Sequence, residues 1–195
     1  MRILVIVLAA LLYCTPASAA FDAQKLVAAA EAQVGKTLTY DPAYVSLKYP
    51  GGDVAIEKGV CSDVVIRAYR AQGIDLQKLV HEDMKKNFGL YPKIWGLKKT
   101  DTNIDHRRVP NLQVFFTRHG KSLGVSDSPS DYKAGDIVTW NLRGPSNPLP
   151  HIGIVTDKMS DDGKRPLMAH NIGQGAQVED MLFTYTITGH YRYAP

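Results

Sequence analysis

Apolar residues recur at helical spacing through the first two thirds of the chain and at strand spacing through the last third. Over residues 22–35, Leu26, Ala29, Ala30 and Val34 line one face, Asp22 is placed to cap the N-terminus and Gly35 sits where a C′ glycine ends helices. Over residues 61–72, Val64, Val65, Ala68 and Tyr69 form a buried stripe, Arg67 and Arg70 point away, and Gly73 stops the helix. Asp75 caps a third helix running to about Asn87, with Leu76, Leu79, Val80 and Met84 inward and His81 on the solvated side. Pro110 suits the first turn of a fourth, through Arg118, whose apolar face is Leu112, Phe115 and Phe116. The period then changes to two. Residues 137–142, 152–156, 167–171 and 184–193 read as short strands separated by Pro, Gly, Asp and Asn turns, which predicts an antiparallel sheet or small barrel. Helices first and strands afterwards make this an α+β chain.

Two stretches fit neither period. Residues 36–52 mix Tyr40, Tyr44 and Tyr49 with prolines and Gly51 and Gly52, as the wall of a site or a plain connecting loop would. Residues 88–109 are also irregular and carry Trp95 and the polar run ending in Asp105, His106, Arg107 and Arg108.

The N-terminus changes the picture of the cysteines. Arg2, an apolar run from Ile3 to Tyr13 and the small residues Ala17, Ser18 and Ala19 have the layout of a secretory signal peptide, residues 1–20, which leaves residues 21–195 as a single domain. The apolar run is short for a bilayer span and no basic stop follows it, so no stable membrane insertion is expected after cleavage, and the destination is periplasmic or secreted. Cleavage removes Cys14 and Arg2. The mature chain then has one thiol, Cys61, and 22 basic against 19 acidic residues, net +3. That mild charge is compatible with anionic envelope polymers. It is spread along the chain with no basic run longer than two residues, so nucleic acid is not an expected partner, and the chain is expected to be a monomer. In an oxidising compartment a solitary cysteine is either an intermolecular linker or a reactive thiol.

Cys61 falls at the start of its helix, where unpaired N–H groups and the helix dipole favour the thiolate, and Gly59 before it permits close approach of another segment. A thiolate nucleophile needs a base that later protonates the leaving group, and imidazole has the right pKa for both steps. Of the six histidines, His151 stands out: Pro148 and Pro150 fix the chain before it and Gly153 leaves room on the strand. His119 reads as a helix C-terminal residue and His190 as a structural histidine among tyrosines. The group that orients the imidazole falls at His170 or Asn171, and because neighbours on a strand point to opposite faces only one of them serves; His170 is preferred. No close ligand pair of the zinc-finger or zincin kind and no Gly-x-Ser-x-Gly elbow is present, so neither a metal, a cofactor nor a serine hydrolase is expected.

The order Val34, Gly35, Tyr40, Gly51, Gly52, the run Gly59, Val60, Cys61, Ser62, Asp63, a helix ending at Gly73, then Gly135, Asp136, Ile137, Val138, the run His151, Ile152, Gly153, Ile154, Val155 and the run Leu167, Met168, Ala169, His170, Asn171 resembles the NlpC-type branch of the papain-like cysteine peptidases. More closely, the whole chain looks like an exported bacterial family catalogued as a domain of unknown function, number 1287. The resemblance implies a cysteine-bearing helix packed on a small antiparallel sheet or half-barrel that carries the histidine. It also implies amide-bond chemistry, commonly on peptidoglycan stem peptides. By position it makes Cys61 the nucleophile, His151 the base and His170 or Asn171 the orienting group, and puts Tyr40 beside the cysteine. Where that branch has Asp-Cys-Ser-Gly, this chain has Val60, Cys61, Ser62 and Asp63, which sets a carboxylate near the thiol and would raise its pKa. His106, Arg107 and Arg108 have no counterpart in the pattern and are candidates to grip a substrate carboxylate. Trp140 is a candidate core or wall residue. The functional expectation is an exported cysteine hydrolase acting on an amide, with a non-catalytic wall-peptide binding module and an acyl or peptidyl transferase as alternatives.

Overall fold

The computed structural model describes residues 20–195; the expected signal peptide lies outside these residues except for Ala20. Four helices precede most of the sheet: α1 (Ala23–Glu31), α2 (Cys61–Arg70), α3 (Leu76–Lys86) and α4 (Val109–His119). Asp22 and Asp75 cap α1 and α3 as expected, Asp22 accepting from the N–H groups of Gln24 and Lys25 and Asp75 from that of Gln77. Gly35 and Gly73 sit at φ +74° and +79°, the left-handed region in which a chain leaves a helix at no Cβ cost. Helix α1 ends four residues short of Gly35, its last stretch continuing as turns.

A two-residue parallel pair, β1 (Thr39–Tyr40) with β2 (Lys58–Gly59), ties the irregular segment to the start of α2. The main sheet has six strands: β3 (Lys121–Leu123), β4 (Ile137–Asn141), β5 (Pro150–Met159), β6 (Pro166–Asn171), β7 (Ala176–Glu179) and β8 (Thr186–Arg192). Their order is β3-β8-β4-β5-β6-β7, and every neighbouring pair is antiparallel. The four expected strands are present; β3 and β7, too short to show a period, are additional.

Alternation along the strands gives the sheet two different faces. Ile137, Ile152, Ile154 and Ala169 join Val64, Val65, Ala68, Leu112 and Phe116 in the core beneath the helices. Val138, Trp140, Val155 and Met168 point the other way into a smaller core closed by Tyr132, Met181 and Leu182.

Two surface assignments are corrected. Arg67 does not point away from the core: it is buried, with Nε on Asp53 at 2.8 Å, Nη1 on Thr37 at 3.0 Å and Nη2 on the carbonyls of Val54, Ala55 and Lys58. A guanidinium offers five donors, and these side-chain and backbone acceptors satisfy it inside the fold. His81 is not a free solvated residue either, since its Nδ1 lies 3.0 Å from the buried Asp105 carboxylate. His190 is the structural histidine expected, 2.8 Å from Asp136 and stacked on Tyr132.

Candidate active site

Cys61 is the first residue of α2 and is almost wholly buried. The preceding backbone is held by three attachments. The β1–β2 pair holds Gly59, and Asn171 Nδ2 donates to the Gly59 carbonyl at 3.1 Å. The Val60 N–H donates to Asp63 Oδ2 at 2.7 Å. Gly59 is needed here, because a Cβ would come within 3.2–3.3 Å of the Asp63 and Arg67 side chains. Ser62 Oγ donates to the Arg107 carbonyl at 2.7 Å and so fastens the first turn of α2 to the short 3-10 turn Asp105–Arg107.

Burial pushes the Cys61 thiol up to about 11, and the Asp63 carboxylate adds to the rise; the N–H groups of Ile152 and Ser62 and the Tyr40 hydroxyl face the sulfur and act against it. The Ile152 amide is the peptide unit that follows His151. Thiol and imidazole therefore flank one peptide at the start of β5.

The imidazole of His151 is also buried, and burial, followed by the neighbouring His170, pushes it down to about 3. Its Nε2 lies 3.0 Å from His170 Nδ1, with the two rings nearly perpendicular at 88°. Register explains the meeting. Ile154 pairs with Ala169, which sets Gly153 opposite His170, and His151 lies two residues along on the same face. Gly153 provides the slot: a Cβ there would meet the Ala169 carbonyl oxygen at 3.0 Å, His170 Cβ at 3.2 Å and Trp140 Cζ3 at 3.4 Å. Trp140 pairs with His151 across β4 and β5, its ring 5.8 Å away and its Nε1 donating to the Leu182 carbonyl at 2.9 Å, so it is a fully buried floor rather than a surface offered to a ligand. Among the described residues the thiol makes no hydrogen bond to either imidazole.

The structure thus brings Tyr40 to Cys61 and His170 to His151, the two imidazoles on the sheet face that carries Trp140, and separates the roles of the two candidates for the third position. His170 meets the imidazole. Asn171, on the opposite face as strand alternation requires, holds Gly59 instead and accepts from the Gly173 N–H.

The charged candidates are engaged elsewhere. Asp63 and Arg107 form a buried bidentate pair, Nε to Oδ1 and Nη2 to Oδ2 both at 2.9 Å, and Arg107 also donates to the carbonyls of Ala43 and Asp41. Arg107 is therefore not free to take a substrate carboxylate; the pair holds the irregular wall against the helix start. His106 is buried and pushed down to about 4, first by that burial. Arg108 lies over the Trp95 ring at 4.1 Å. A cavity of about 470 Å³ opens between residues of the irregular wall and β2, its lining including Asp41, Ala43, Gly51, Gly52, Asp53 and Lys58 but neither Cys61 nor the two histidines. Tyr40, 38% exposed, faces the thiol, and burial is the first cause of its raised pKa, with Cys61 next.

One contact had no signal in the sequence. Glu179, on β7, places Oε2 2.9 Å from His170 Nε2, and it became legible only once β7 and its register were known.

Comparison with known proteins finds a family and a shared fold. The model of the family described as "Domain of unknown function (DUF1287)" matches residues 27–193. The "Uncharacterized protein YijF" of Escherichia coli (strain K12) is 63% identical over 164 residues, 84% of this chain and 78% of that one. Among solved structures, an N-acetylmuramoyl-L-alanine amidase from Bacteroides uniformis superposes with a TM-score of 0.52 at 12% identity, covering 89% of this chain and 99% of that one, a likeness of fold alone. NlpC2 from Trichomonas vaginalis gives a TM-score of 0.47 at 14% identity over 91% of this chain, which spans about half (49%) of that protein.

Proposed function

This chain belongs to the DUF1287 family, and on that premise we propose that it is an exported cysteine hydrolase that cleaves an amide bond in the peptide stems of peptidoglycan. The observation that carries the reading is the 3.0 Å contact between His151 and His170, made by the residue whose following amide meets the Cys61 thiol. In this reading the thiol proton passes to His151 Nδ1 as sulfur attacks the carbonyl carbon. The free N–H groups at the start of α2 hold the oxyanion, the imidazolium protonates the leaving amine, and water releases the thioester. The cavity along Gly51, Gly52 and Lys58 would seat part of the substrate, with Asp41, the residue after Tyr40, in its lining. The net charge of +3 after signal cleavage supports an envelope substrate, and a fold shared with an amidase supports amide chemistry without choosing the bond.

A second reading, a wall-peptide binding module without turnover, draws support from the near-complete burial of Cys61, His151 and His170. A peptidyl transferase would use the same groups and differ in the acceptor of the thioester. The deciding experiment incubates mature wild-type protein, Cys61→Ala and His151→Ala with peptidoglycan fragments and follows products by mass spectrometry. Product from the wild type alone supports a catalyst, with and without an added amine separating hydrolase from transferase. Identical outcomes for all three proteins would sink the catalytic reading.

A further inference from the structure

We propose that Glu179 is a positioning residue that sets the tautomer of His170 and, through it, that of His151. The inference rests on the hydrolase reading for its effect on turnover but on geometry alone for the pairing. For His151 to accept a proton at Nδ1, its own hydrogen must sit on Nε2, the atom 3.0 Å from His170 Nδ1. His170 Nδ1 must then be the acceptor, which places the His170 hydrogen on Nε2. That nitrogen is shut off from solvent and has no well-aligned hydrogen bond, and the acceptor within reach is Glu179 Oε2 at 2.9 Å. Strand register brings the carboxylate there: His170 pairs with Gln177 and Met168 with Glu179, so Glu179 lies diagonally across from His170 on the same face.

Without the carboxylate the His170 hydrogen is equally at home on Nδ1. It would then face the His151 Nε2 hydrogen and turn His151 to the tautomer that cannot take the thiol proton. The titratable groups bearing on His170 are His151 from β5 and Glu179 from β7. Glu179 also supplies the negative charge that offsets the imidazolium during turnover. Its side chain is half exposed, so its replacement leaves the core intact.

The test compares wild type, Glu179→Ala and Glu179→Gln as 15N-labelled mature protein, reading histidine tautomers by long-range 1H–15N correlation, alongside amide hydrolysis against pH. The wild type is expected to hold His170 in the Nε2–H form. Glu179→Ala should populate the Nδ1–H form and lower kcat by about tenfold with KM little changed. Glu179→Gln, whose amide oxygen still accepts, should restore the tautomer and most of the rate. Unchanged His170 tautomers in Glu179→Ala overturn the proposal. A tautomer shift in a protein whose wild type releases no product overturns the hydrolase reading instead and leaves the pairing standing.

Discussion

Gly153→Ala tests whether the slot between the two histidines is required. The added methyl would sit 3.0 Å from the Ala169 carbonyl oxygen, 3.2 Å from His170 Cβ and 3.4 Å from Trp140 Cζ3, against an ordinary contact of 3.4–4 Å. The Ala169 oxygen belongs to the β6 backbone and Trp140 is pinned through Nε1 to Leu182, so most of the few tenths of an ångström must come from His170. Forcing a methyl into a packed sheet costs about 1–3 kcal/mol, offset by about 0.4–1 kcal/mol from a less free unfolded chain. A domain with a stability of about 5–15 kcal/mol stays folded through that. Turnover is affected as well: displacing His170 lengthens the 3.0 Å contact, and since a misplacement of about 1 Å costs on the order of 100-fold, a shift of a few tenths of an ångström is expected to cost several-fold. Urea unfolding and amide hydrolysis on the same preparations separate the two effects. Gly144→Ala, where a Cβ meets nothing within 4 Å, is the control. A Gly153→Ala protein with unchanged urea midpoint and unchanged kcat refutes the packing argument.

Three further outcomes follow from the electrostatics. With the Cys61 thiol pushed up to about 11 and His151 down to about 3, the ligand-free pair is neutral at pH 7. Iodoacetamide labelling should then reach half its maximum well above an ordinary thiol pKa of about 8.5, and a midpoint below that value contradicts the reading. Asp63→Asn leaves Arg107 charged and buried without its partner, at a cost of about 3–5 kcal/mol. It also removes a negative charge beside the thiol, so the labelling midpoint should move to lower pH; labelling at unchanged pH would show that Asp63 does not act on the sulfur. His106, pushed from 6.5 to about 4 by burial, binds fewer protons folded than unfolded between those values. Its contribution is full above pH 6.5 and is lost as pH falls toward 4, at up to about 1.4 kcal/mol per pH unit. Urea titrations at pH 4.5 and 6.5 should give a smaller difference for His106→Asn than for wild type, and equal differences would refute it.

The helices, four of the strands and the meeting of His151 with His170 were legible because each rests on a local period or on alternation. A stripe at i, i+3 and i+4 names a buried face, and period two alone decides that His170 and Asn171 cannot both face one imidazole. What local patterns miss is the long-range satisfaction of charge. Arg67 occupies a position that amphipathicity assigns to solvent, yet Asp53, Thr37 and three carbonyls, from 9 to 30 residues away in sequence, receive its donors. Arg107 looked available because its partner Asp63 lies 44 residues earlier. Glu179 was invisible for a related reason: β7 has four residues, and a four-residue strand does not reveal its register.

The carboxylate at position 63 resolves into a structural role with an electrostatic consequence. Its two oxygens hold Arg107 and the Val60 N–H, so it fixes both the irregular wall and the helix start, and the guanidinium balances its charge within the same buried pair. Asp63 comes after burial among the causes that raise the thiol. Burial acts on both reacting groups in the same sense, opposing thiolate and imidazolium alike. The arrangement therefore disfavours charge separation at rest, and any turnover must stabilise the two charges as they form. Each side has a means of doing so. Sulfur has the start of α2, the Ile152 amide and the Tyr40 hydroxyl; the imidazole has His170, with the Glu179 carboxylate behind it. Because both sets are fixed in the fold, the cost of orienting them is met in folding, and under the hydrolase reading the proton would cross only once a carbonyl carbon is present to receive the sulfur.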